Sequence, residues 1–342
     1  MRASETKIME HLLSLQNLHV SYHTPRGIVQ AVRGIDLTLD SGEVLAVVGE
    51  SGCGKSALLK AIMRLLPENA SVTGKILVND TDIAPYPEKQ LQKLRGSLFS
   101  MVFQDPMTAL NPSMTIGSQI AEAVLVHEPK ISKDALRARV LELMELVEID
   151  RPMERMKLYP HNFSGGMRQR AVMAIALAAR AKILLADEPT TALDVTIQAQ
   201  ILDLLKKLKN RINGSIMLIT HDLGVIAGMA DYVVIMYAGR IIEQGTVFDI
   251  FDHPCHPYTI GLQKSKPVVN KDTEWLYSIP GRVPNPIDLP NTCYFKDRCQ
   301  YCNKSCNQPY PELVKLSDTH YVACYRAAEI EEARSKNHGK AE

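Results

Sequence analysis

The sequence predicts an α/β fold in which short apolar strands alternate with helices, followed by a smaller segment of different composition. Apolar runs bounded by polar or glycine residues have the length and content of strands buried in a parallel sheet. These runs lie at residues 43–48, 101–103, 182–187, 215–220 and 232–236. After His253 prolines and cysteines become frequent, which is typical of an extended segment. The sequence therefore predicts one large α/β region and a C-terminal extension.

Two further sets of elements complete the predicted fold. Residues 12–22, 31–39 and 74–78 predict an N-terminal antiparallel portion, and helices are predicted at 57–66, 116–126, 134–147 and 167–181. The helix at 134–147 carries apolar residues near one face, namely Leu136, Val140, Leu143, Met144 and Val147. We therefore expect a helical subdomain over about residues 105–165.

A glycine-rich segment separates the first core strand from the first helix. Its residues are Gly49, Glu50, Ser51, Gly52, Cys53, Gly54, Lys55 and Ser56. They fit the pattern G-x-x-x-x-G-K-[ST], which needs this strand and this helix around it. Backbone N–H groups of such a loop and the helix N-terminus bind phosphates, while Lys55 reaches the β- and γ-phosphates and Ser56 binds Mg²⁺. The alternative is a glycine turn before an ordinary helix.

Polar side chains follow three other core strands. Asp187 and Glu188 end the strand at 182–187, where Asp187 would hold Mg²⁺ through water and Glu188 would act as general base. The alternative is an acidic strand end that caps the next helix. His221 follows the strand at 215–220, within reach of a γ-phosphate, and Gln104 follows Phe103. Taken singly, these last two residues are typical of polar strand ends.

The order of these motifs resembles the ATPase cassette of ABC transporters over about residues 12–262. The resemblance implies that Gln104 senses Mg²⁺ and the attacking water, that His221 is the switch histidine and that Tyr22 stacks on adenine. In Ala192-Leu193-Asp194, Asp194 matches the D-loop aspartate. The segment Ser164, Gly165, Gly166 and Met167 is similar to the signature loop, which binds ATP held by an opposite subunit. Activity is therefore expected to require a dimer.

Four more segments resemble the oligopeptide/dipeptide importer branch of that family, namely residues 103–112, 159–170, 256–259 and 279–282. The resemblance implies an ATPase that powers peptide import with a second, related ATPase, two membrane-spanning permease subunits and an external peptide-binding protein. Nickel complexes, glutathione or another small solute are alternative cargoes. A soluble ABC ATPase acting on nucleic acid or ribosomes and a metal or redox sensor are the other hypotheses.

Composition agrees with a protein inside the cell that meets the membrane through other subunits. Lys and Arg number 39 against 38 Asp and Glu, so the net charge of +1 gives no reason to expect nucleic acid as a partner. No apolar run approaches the roughly 20 residues of a membrane helix. The first ten residues lack the apolar stretch of a signal peptide. We expect the chain at the cytoplasmic face of the cell membrane.

Six of the seven cysteines lie at or beyond Cys255, in the predicted Pro/Cys-rich extension at 263–326 or just before it. Reduced cytosolic thiols disfavour disulfides, so a cluster of thiolates suits Zn²⁺ or an iron–sulfur cluster. The alternative is that the thiols pack as small apolar groups. The importer resemblance implies a [4Fe–4S] cluster held by Cys293, Cys299, Cys306 and Cys324.

Two residues offer competing ligands in this segment, since Cys302 gives another spacing with Cys299 and Cys306, and His320 is a weaker candidate. Beyond it, residues 327–342 are charged, with almost no apolar side chain to bury. This composition predicts a frayed helix that passes into a disordered tail.

Overall fold

The computed structural model describes residues 11–191, 193–212, 214–265 and 277–338. Three predictions fall wholly or partly outside these residues: the absence of a signal peptide at 1–10, the Ala192 position of the D-loop and the disorder expected at 339–342.

The described elements are strands and helices of ordinary length, numbered in chain order. The strands are β1 His11–Thr24, β2 Gly27–Asp40, β3 Val44–Val48, β4 Ala70–Val78, β5 Thr81–Asp82, β6 Phe99–Val102, β7 Ile183–Asp187, β8 Ser215–Thr220, β9 Tyr232–Tyr237, β10 Arg240–Thr246, β11 Val314–Lys315 and β12 Tyr321–Val322. The helices are α1 Lys55–Ile62, α2 Glu88–Leu94, α3 Pro106–Ala109, α4 Ile116–His127, α5 Lys133–Leu146, α6 Pro152–Arg155, α7 Gly165–Ala178, α8 Val195–Ile212, α9 Leu223–Ile226, α10 Val247–Asp252, α11 Pro257–Lys264 and α12 Ala327–His338.

The chain forms two compact units, each built from several segments. Within the described part of the chain, the first unit comprises residues 11–12, 39–43 and 85–219, and the second comprises residues 13–38, 44–84 and 220–338. This division differs from the predicted domains, because the described part of the extension belongs to the same unit as the glycine loop.

In the first unit, β6, β7 and β8 form parallel ladders in that order. Every residue of β7 and β8 is buried, which explains their uninterrupted apolar sequences. Helices α4 and α5, within the range of the expected helical subdomain, pack on each other and on α7, which follows that range. Of its predicted apolar face, Val140, Leu143, Met144 and Val147 are buried, whereas Leu136 is partly exposed.

The second unit contains the antiparallel portion and a mixed ladder. Strands β2, β1, β4 and β5 lie in that order, and a bulge between Gln16 and His19 interrupts the β1 and β4 pairing. In the other ladder β3 runs parallel to β9, and β10 is antiparallel to both β9 and β12. The β9–β10 turn holds Ala238 and Gly239 at φ 46° and 84°, as a two-residue hairpin requires.

Two helices end earlier than predicted, for a local backbone reason. Helix α1 stops at Ile62 rather than at residue 66, because Arg64 is left-handed at φ 53° and Pro67 follows. Helix α7 covers Gly165–Ala178 rather than 167–181, with Arg180 left-handed at the same φ. After both helices an arginine adopts the left-handed conformation that glycine usually adopts at a helix C-terminus.

The charged tail begins as a helix. Helix α12 covers Ala327–His338, and its first turn buries Ala327 and Ile330. Ala327 packs in an apolar cluster with Cys255 and Val322. A spacing of three residues places Ala327 and Ile330 on one face of the helix. The disorder expected beyond this helix stays a prediction.

Among the described residues, the helices are all too short or too polar to cross a membrane.

Candidate functional site

The glycine loop connects β3 to α1 in the second unit, and its lysine is held inward. Lys55 is 4% exposed, and its Nζ donates to the carbonyl oxygens of Gly49 at 2.7 Å and Glu50 at 3.0 Å. Helix α1 is anchored by buried Leu58, Leu59 and Ile62. The loop therefore holds an ammonium group over carbonyl oxygens at a helix N-terminus, the arrangement that a phosphate chain can engage.

Two glycines have no replacement that preserves this loop. Gly54 caps α1 at φ 102°, and a Cβ there would lie 2.1 Å from the Ala31 carbonyl oxygen. A Cβ at Gly49 would lie 2.3 Å from the Met236 carbonyl oxygen. Close backbone approach therefore requires glycine at both positions, and at Gly54 the left-handed conformation requires it as well.

The other loop residues take different positions. Ser51 and Gly52 are exposed, whereas Ser56 is partly buried at the start of α1. Cys53 is 1% exposed, and burial raises the pKa of its thiol above the usual value despite Lys55. A protonated, buried thiol is unreactive, which agrees with a structural place for Cys53.

Tyr22 and His221 belong to the same unit as the loop. Tyr22 lies on β1 opposite Ala70 of β4, and burial raises the pKa of its partly exposed phenol. His221 is exposed and follows β8, directly before Asp222, which caps the short helix α9.

In the first unit, the ends of two paired strands bring Gln104 and Glu188 together. Register pairs Val102 of β6 with Ala186 of β7, so the residues that follow each strand emerge side by side. Gln104 Nε2 donates to Glu188 Oε2 at 3.2 Å, and Thr191 Oγ1 donates to the same oxygen at 2.8 Å. The carboxylate is thus oriented by two donors, and it remains partly exposed.

Asp187 and Glu188 sit in contrasting environments although they are consecutive. Asp187 is the last residue of β7 and is 4% exposed. Glu188 adopts φ 44°, and its N–H donates to the Ile219 carbonyl oxygen at 3.0 Å. A left-handed glutamate is uncommon, and such local strain concentrates at functional positions.

The predicted signature segment forms the start of α7 in the first unit. Ser164 is the exposed N-cap, and its Oγ accepts from the Met167 N–H at 3.4 Å. A Cβ at Gly166 would lie 2.6 Å from Ile197 Cγ2 of α8, so this glycine lets the two helices approach. The exposed Asp194 caps α8 by accepting from the Ile197 N–H at 3.0 Å. The N-terminus of a 14-residue helix, with its unpaired N–H groups, is a place for an anion.

The four predicted ligand cysteines, all in the second unit, line one small cavity. Its walls include Cys293, Cys299, Cys306 and Cys324 together with His256, Phe295 and Tyr325. Among the described residues, Glu243, Cys255 and His320 form a group whose ligand atoms all lie within 4.8 Å of one another. The four cysteines as a set are more widely spaced than that.

Burial controls the protonation of these thiols. Burial, with a smaller contribution from the neighbouring cysteines, raises the pKa of Cys293 and Cys299 to about 11 and that of Cys324 to about 12. Thiols that repel one another as anions become thiolates together only when positive charge is placed among them. The donor set therefore fits a cationic metal centre.

The two competing ligands lie elsewhere. Cys302 is exposed and is not among the residues that line the cavity. His320 is buried with Glu243 and Cys255, and its Nε2 lies 2.9 Å from Glu243 Oε1. That carboxylate also accepts from the N–H groups of Cys255 and His256. The Glu243 carboxylate thus links Cys255 and His256, which follow β10 in the chain, to His320, which precedes β12.

Sequence reasoning missed two residues that contact the glycine loop within this unit. The Tyr258 hydroxyl accepts from the Glu50 N–H at 2.8 Å, and Arg298 Nη1 lies 3.1 Å from both Glu50 carboxylate oxygens. The signal for Tyr258 was the resemblance of residues 256–259 to the importer branch, which gives no contact partner.

Comparison with known proteins extends these observations. Residues 32–191 match the family described as ABC transporter, and residues 242–306 match the oligopeptide/dipeptide transporter C-terminal region. The chain is 52% identical to the oligopeptide transport ATP-binding protein OppD of Bacillus subtilis (strain 168), over 91% of this chain and 87% of that protein. It is 51% identical to the dipeptide transport ATP-binding protein DppD of the same strain, over 93% and 95%.

A solved structure gives the same result for the fold. The dimeric post-hydrolysis state of the ATP-binding cassette MJ0796 bound to ADP and Pi matches with a TM-score of 0.62 and 27% identity, covering 69% of this chain and 98% of that one. The predicted cassette fold, with its mixed α/β sheets, is thereby confirmed, as is the ATPase class. Since half of the residues are shared along nearly the whole length, the chain belongs to the ATP-hydrolysing, ATP-binding proteins of the ABC transporter family.

Proposed function

We propose that this protein is the ATPase subunit that powers import of di- and oligopeptides across the cell membrane. The observation that carries the proposal is the match of residues 242–306 to the oligopeptide/dipeptide transporter C-terminal region, beyond the cassette itself. Relatives about half identical to the chain are named for oligopeptide and dipeptide transport. The cargo class follows from this region, because the ATP-binding motifs are common to all cassettes.

We assign ATP binding to the glycine loop. Its N–H groups and the start of α1 bind the phosphates, and Lys55 exchanges its contacts with Gly49 and Glu50 for phosphate oxygens. Ser56, Gln104 and Asp187 are the proposed Mg²⁺ ligands, Asp187 through water; the ion neutralises charge on the phosphates when bound. Tyr22 supports the adenine ring by stacking.

Glu188 is the proposed general base. Its carboxylate is oriented by Gln104 and Thr191, and it polarises the water that attacks the γ-phosphate. His221 stabilises the γ-phosphate at the same step. Phosphoryl transfer depends mostly on such positioning and electrostatic stabilisation.

Hydrolysis is proposed to require two ATPase subunits. Ser164, Gly165 and Gly166 would bind, through the N–H groups of α7, the γ-phosphate held by the opposite subunit, and Asp194 would lie at the same junction. The opposite subunit is a second, related ATPase. Two permease subunits and an external peptide-binding protein complete the importer, which places this chain at the cytoplasmic face of the membrane.

The C-terminal cysteines are proposed to hold a [4Fe–4S] cluster through Cys293, Cys299, Cys306 and Cys324. Three features support this proposal: a common cavity, partly or fully buried thiols that need positive charge to ionise together, and spacing wider than one zinc ion requires. Four thiolates at about 2.3 Å from a single tetrahedral zinc would be about 4 Å apart. The cluster would tie the ends of the extension together.

Reconstitution tests the transport proposal. The chain is assembled in proteoliposomes with its partner ATPase, permeases and binding protein, and uptake of labelled di- and oligopeptides is measured against nickel and glutathione. ATP-dependent peptide uptake that stops with Glu188→Gln is expected. Uptake of nickel or glutathione with no peptide uptake would refute the cargo while retaining the ATPase.

Metal analysis tests the cysteine proposal. Protein purified without oxygen is expected to contain about four iron and four acid-labile sulfide per chain. Cys299→Ser and Cys324→Ser should lose both elements together, whereas the matched variant Cys302→Ser retains them. Zinc in place of iron, or equal loss in Cys302→Ser, would contradict the assignment.

A further inference from the structure

The extension touches the glycine loop through one charged side chain. Arg298 is 6% exposed, and its Nη1 lies 3.1 Å from both Oε1 and Oε2 of Glu50, the second residue of the loop. Arg298 directly precedes Cys299. The arginine side of this ion pair is buried and the Glu50 side chain is 29% exposed, so loss of Glu50 would leave the guanidinium without its charged partner.

Arg298 is itself held from several directions. Its Nε donates to the Pro280 carbonyl oxygen at 2.8 Å, and Nη1 donates to the Tyr237 hydroxyl at 3.3 Å. These hydrogen bonds and the contact with Glu50 hold the guanidinium in one orientation, aimed at the Glu50 carboxylate.

Glu50 transmits this orientation to the part of the loop that carries Lys55. Its N–H donates to the Tyr258 hydroxyl at 2.8 Å, and its carbonyl oxygen accepts from Lys55 Nζ at 3.0 Å and from the Cys53 N–H at 3.3 Å. The side chain of Glu50 is thus fixed by the extension, and its main chain fixes the lysine.

An aromatic cluster packs beside the same contact. Phe295 packs edge-on against Tyr237 and Tyr258, with ring centroids 5.3 and 5.4 Å away. Phe295 lies two residues after Cys293. Phe295 of the extension thus packs on the tyrosine that binds the Glu50 N–H, so the extension supports the loop through this aromatic contact as well as through Arg298.

We propose that Arg298 is a positioning residue for nucleotide binding: it holds Glu50, and through Glu50 it sets the glycine loop in the shape that receives the phosphates of ATP. The inference rests on the proposed binding of ATP by this loop. It makes the extension a part of the nucleotide site, although Arg298 itself touches no phosphate.

The test is a double-mutant cycle on the full-length protein, with the dissociation constant of ATP measured by displacement of a fluorescent ATP analogue. The variants are Arg298→Gln, Glu50→Gln, the double variant and Arg298→Lys. Exposed Arg282 of the same extension supplies the matched control Arg282→Gln. Metal content and melting temperature are measured on every variant, so that an effect on affinity is separated from loss of metal or of fold.

Each single variant is expected to bind ATP about tenfold more weakly, the effect of losing one charged hydrogen-bonded contact. The double variant should also be about tenfold weaker rather than about a hundredfold, because the two residues act through each other. Arg298→Lys, which keeps the charge, should recover part of the loss, and Arg282→Gln should bind like the wild type.

Wild-type affinity in Arg298→Gln, or multiplicative losses in the double variant, would overturn the inference. If Arg298→Gln does not fold, Glu50→Gln decides alone, since the Glu50 side chain is 29% exposed and its replacement leaves the fold less affected. Failure of the proposed ATP site gives a different result, because Lys55→Ala would then bind ATP as the wild type does.

Discussion

Replacing Gly54 with alanine tests how the loop is built, because Gly52, in the same loop, offers a matched control position. Both glycines have positive φ, 102° at Gly54 and 82° at Gly52. They differ in space: a Cβ at Gly54 would lie 2.1 Å from the Ala31 carbonyl oxygen, whereas nothing lies within 4 Å of a Cβ at Gly52.

The expected magnitudes follow from this difference. An alanine in the left-handed conformation destabilises the folded state by about 1–2 kcal/mol. Alanine also lowers the conformational entropy of the unfolded chain, which offsets about 0.4–1 kcal/mol of that loss. Gly52→Ala should therefore lower the free energy of unfolding by about 1 kcal/mol. Gly54→Ala adds overpacking against the main chain, about 1–3 kcal/mol, which brings its loss to about 2–4 kcal/mol.

Thermal unfolding of the nucleotide-free protein, followed by circular dichroism, measures both variants. At about 2 °C per kcal/mol, Gly52→Ala should lower the melting temperature by about 2 °C and Gly54→Ala by about 4–8 °C. ATP binding should be lost more severely in Gly54→Ala. Equal shifts in the two variants would refute the argument from close approach and leave backbone conformation as the whole explanation.

Two other predictions concern catalysis and pH. Glu188→Gln should lower the rate of ATP hydrolysis at least about a hundredfold while ATP still binds; Glu142→Gln, an exposed glutamate of the helical subdomain, is the control, and retained turnover would exclude Glu188 as the base. Burial lowers the pKa of His256 from 6.5 to about 3, so between those values the unfolded chain binds the extra proton and stability falls as the pH falls. Between pH 7.5 and pH 5.5 this histidine should lower the free energy of unfolding by about 1.4 kcal/mol. Urea unfolding of the wild type and of His256→Asn at both pH values measures this difference, and an identical pH dependence of the two proteins would contradict it.

The core strands could be predicted because burial on both faces leaves a continuous apolar run. The runs at 182–187 and 215–220 differ from β7 and β8 by at most one residue. Strand β10 was missed, since Glu243 and Gln244 interrupt its apolar sequence. Glu243 is fully buried and is satisfied by His320 and two N–H groups, partners that are distant in sequence or invisible in composition.

The candidate site shows the same limit. Pattern and position after a strand were sufficient to single out Lys55 and Glu188, whereas Gln104 was singled out only by the order of the motifs and the resemblance that it carries. The contact of Gln104 with Glu188 depends on β6 and β7 being neighbours in register, which no local pattern reveals. The contact of Arg298 with Glu50 spans 248 residues, so only the folded chain connects them.

The pairing of β12 with β10 has a consequence for truncated forms of the chain. Tyr321 and Val322 bond to Gln244 and Glu243 in the middle of β10. A chain cut before residue 314 would present β10 with open N–H and C=O groups beside buried Ile241 and Ile242. Such an edge is a template for pairing with other molecules. By covering β10, the short strands β11 and β12 of the extension therefore protect the cassette against aggregation.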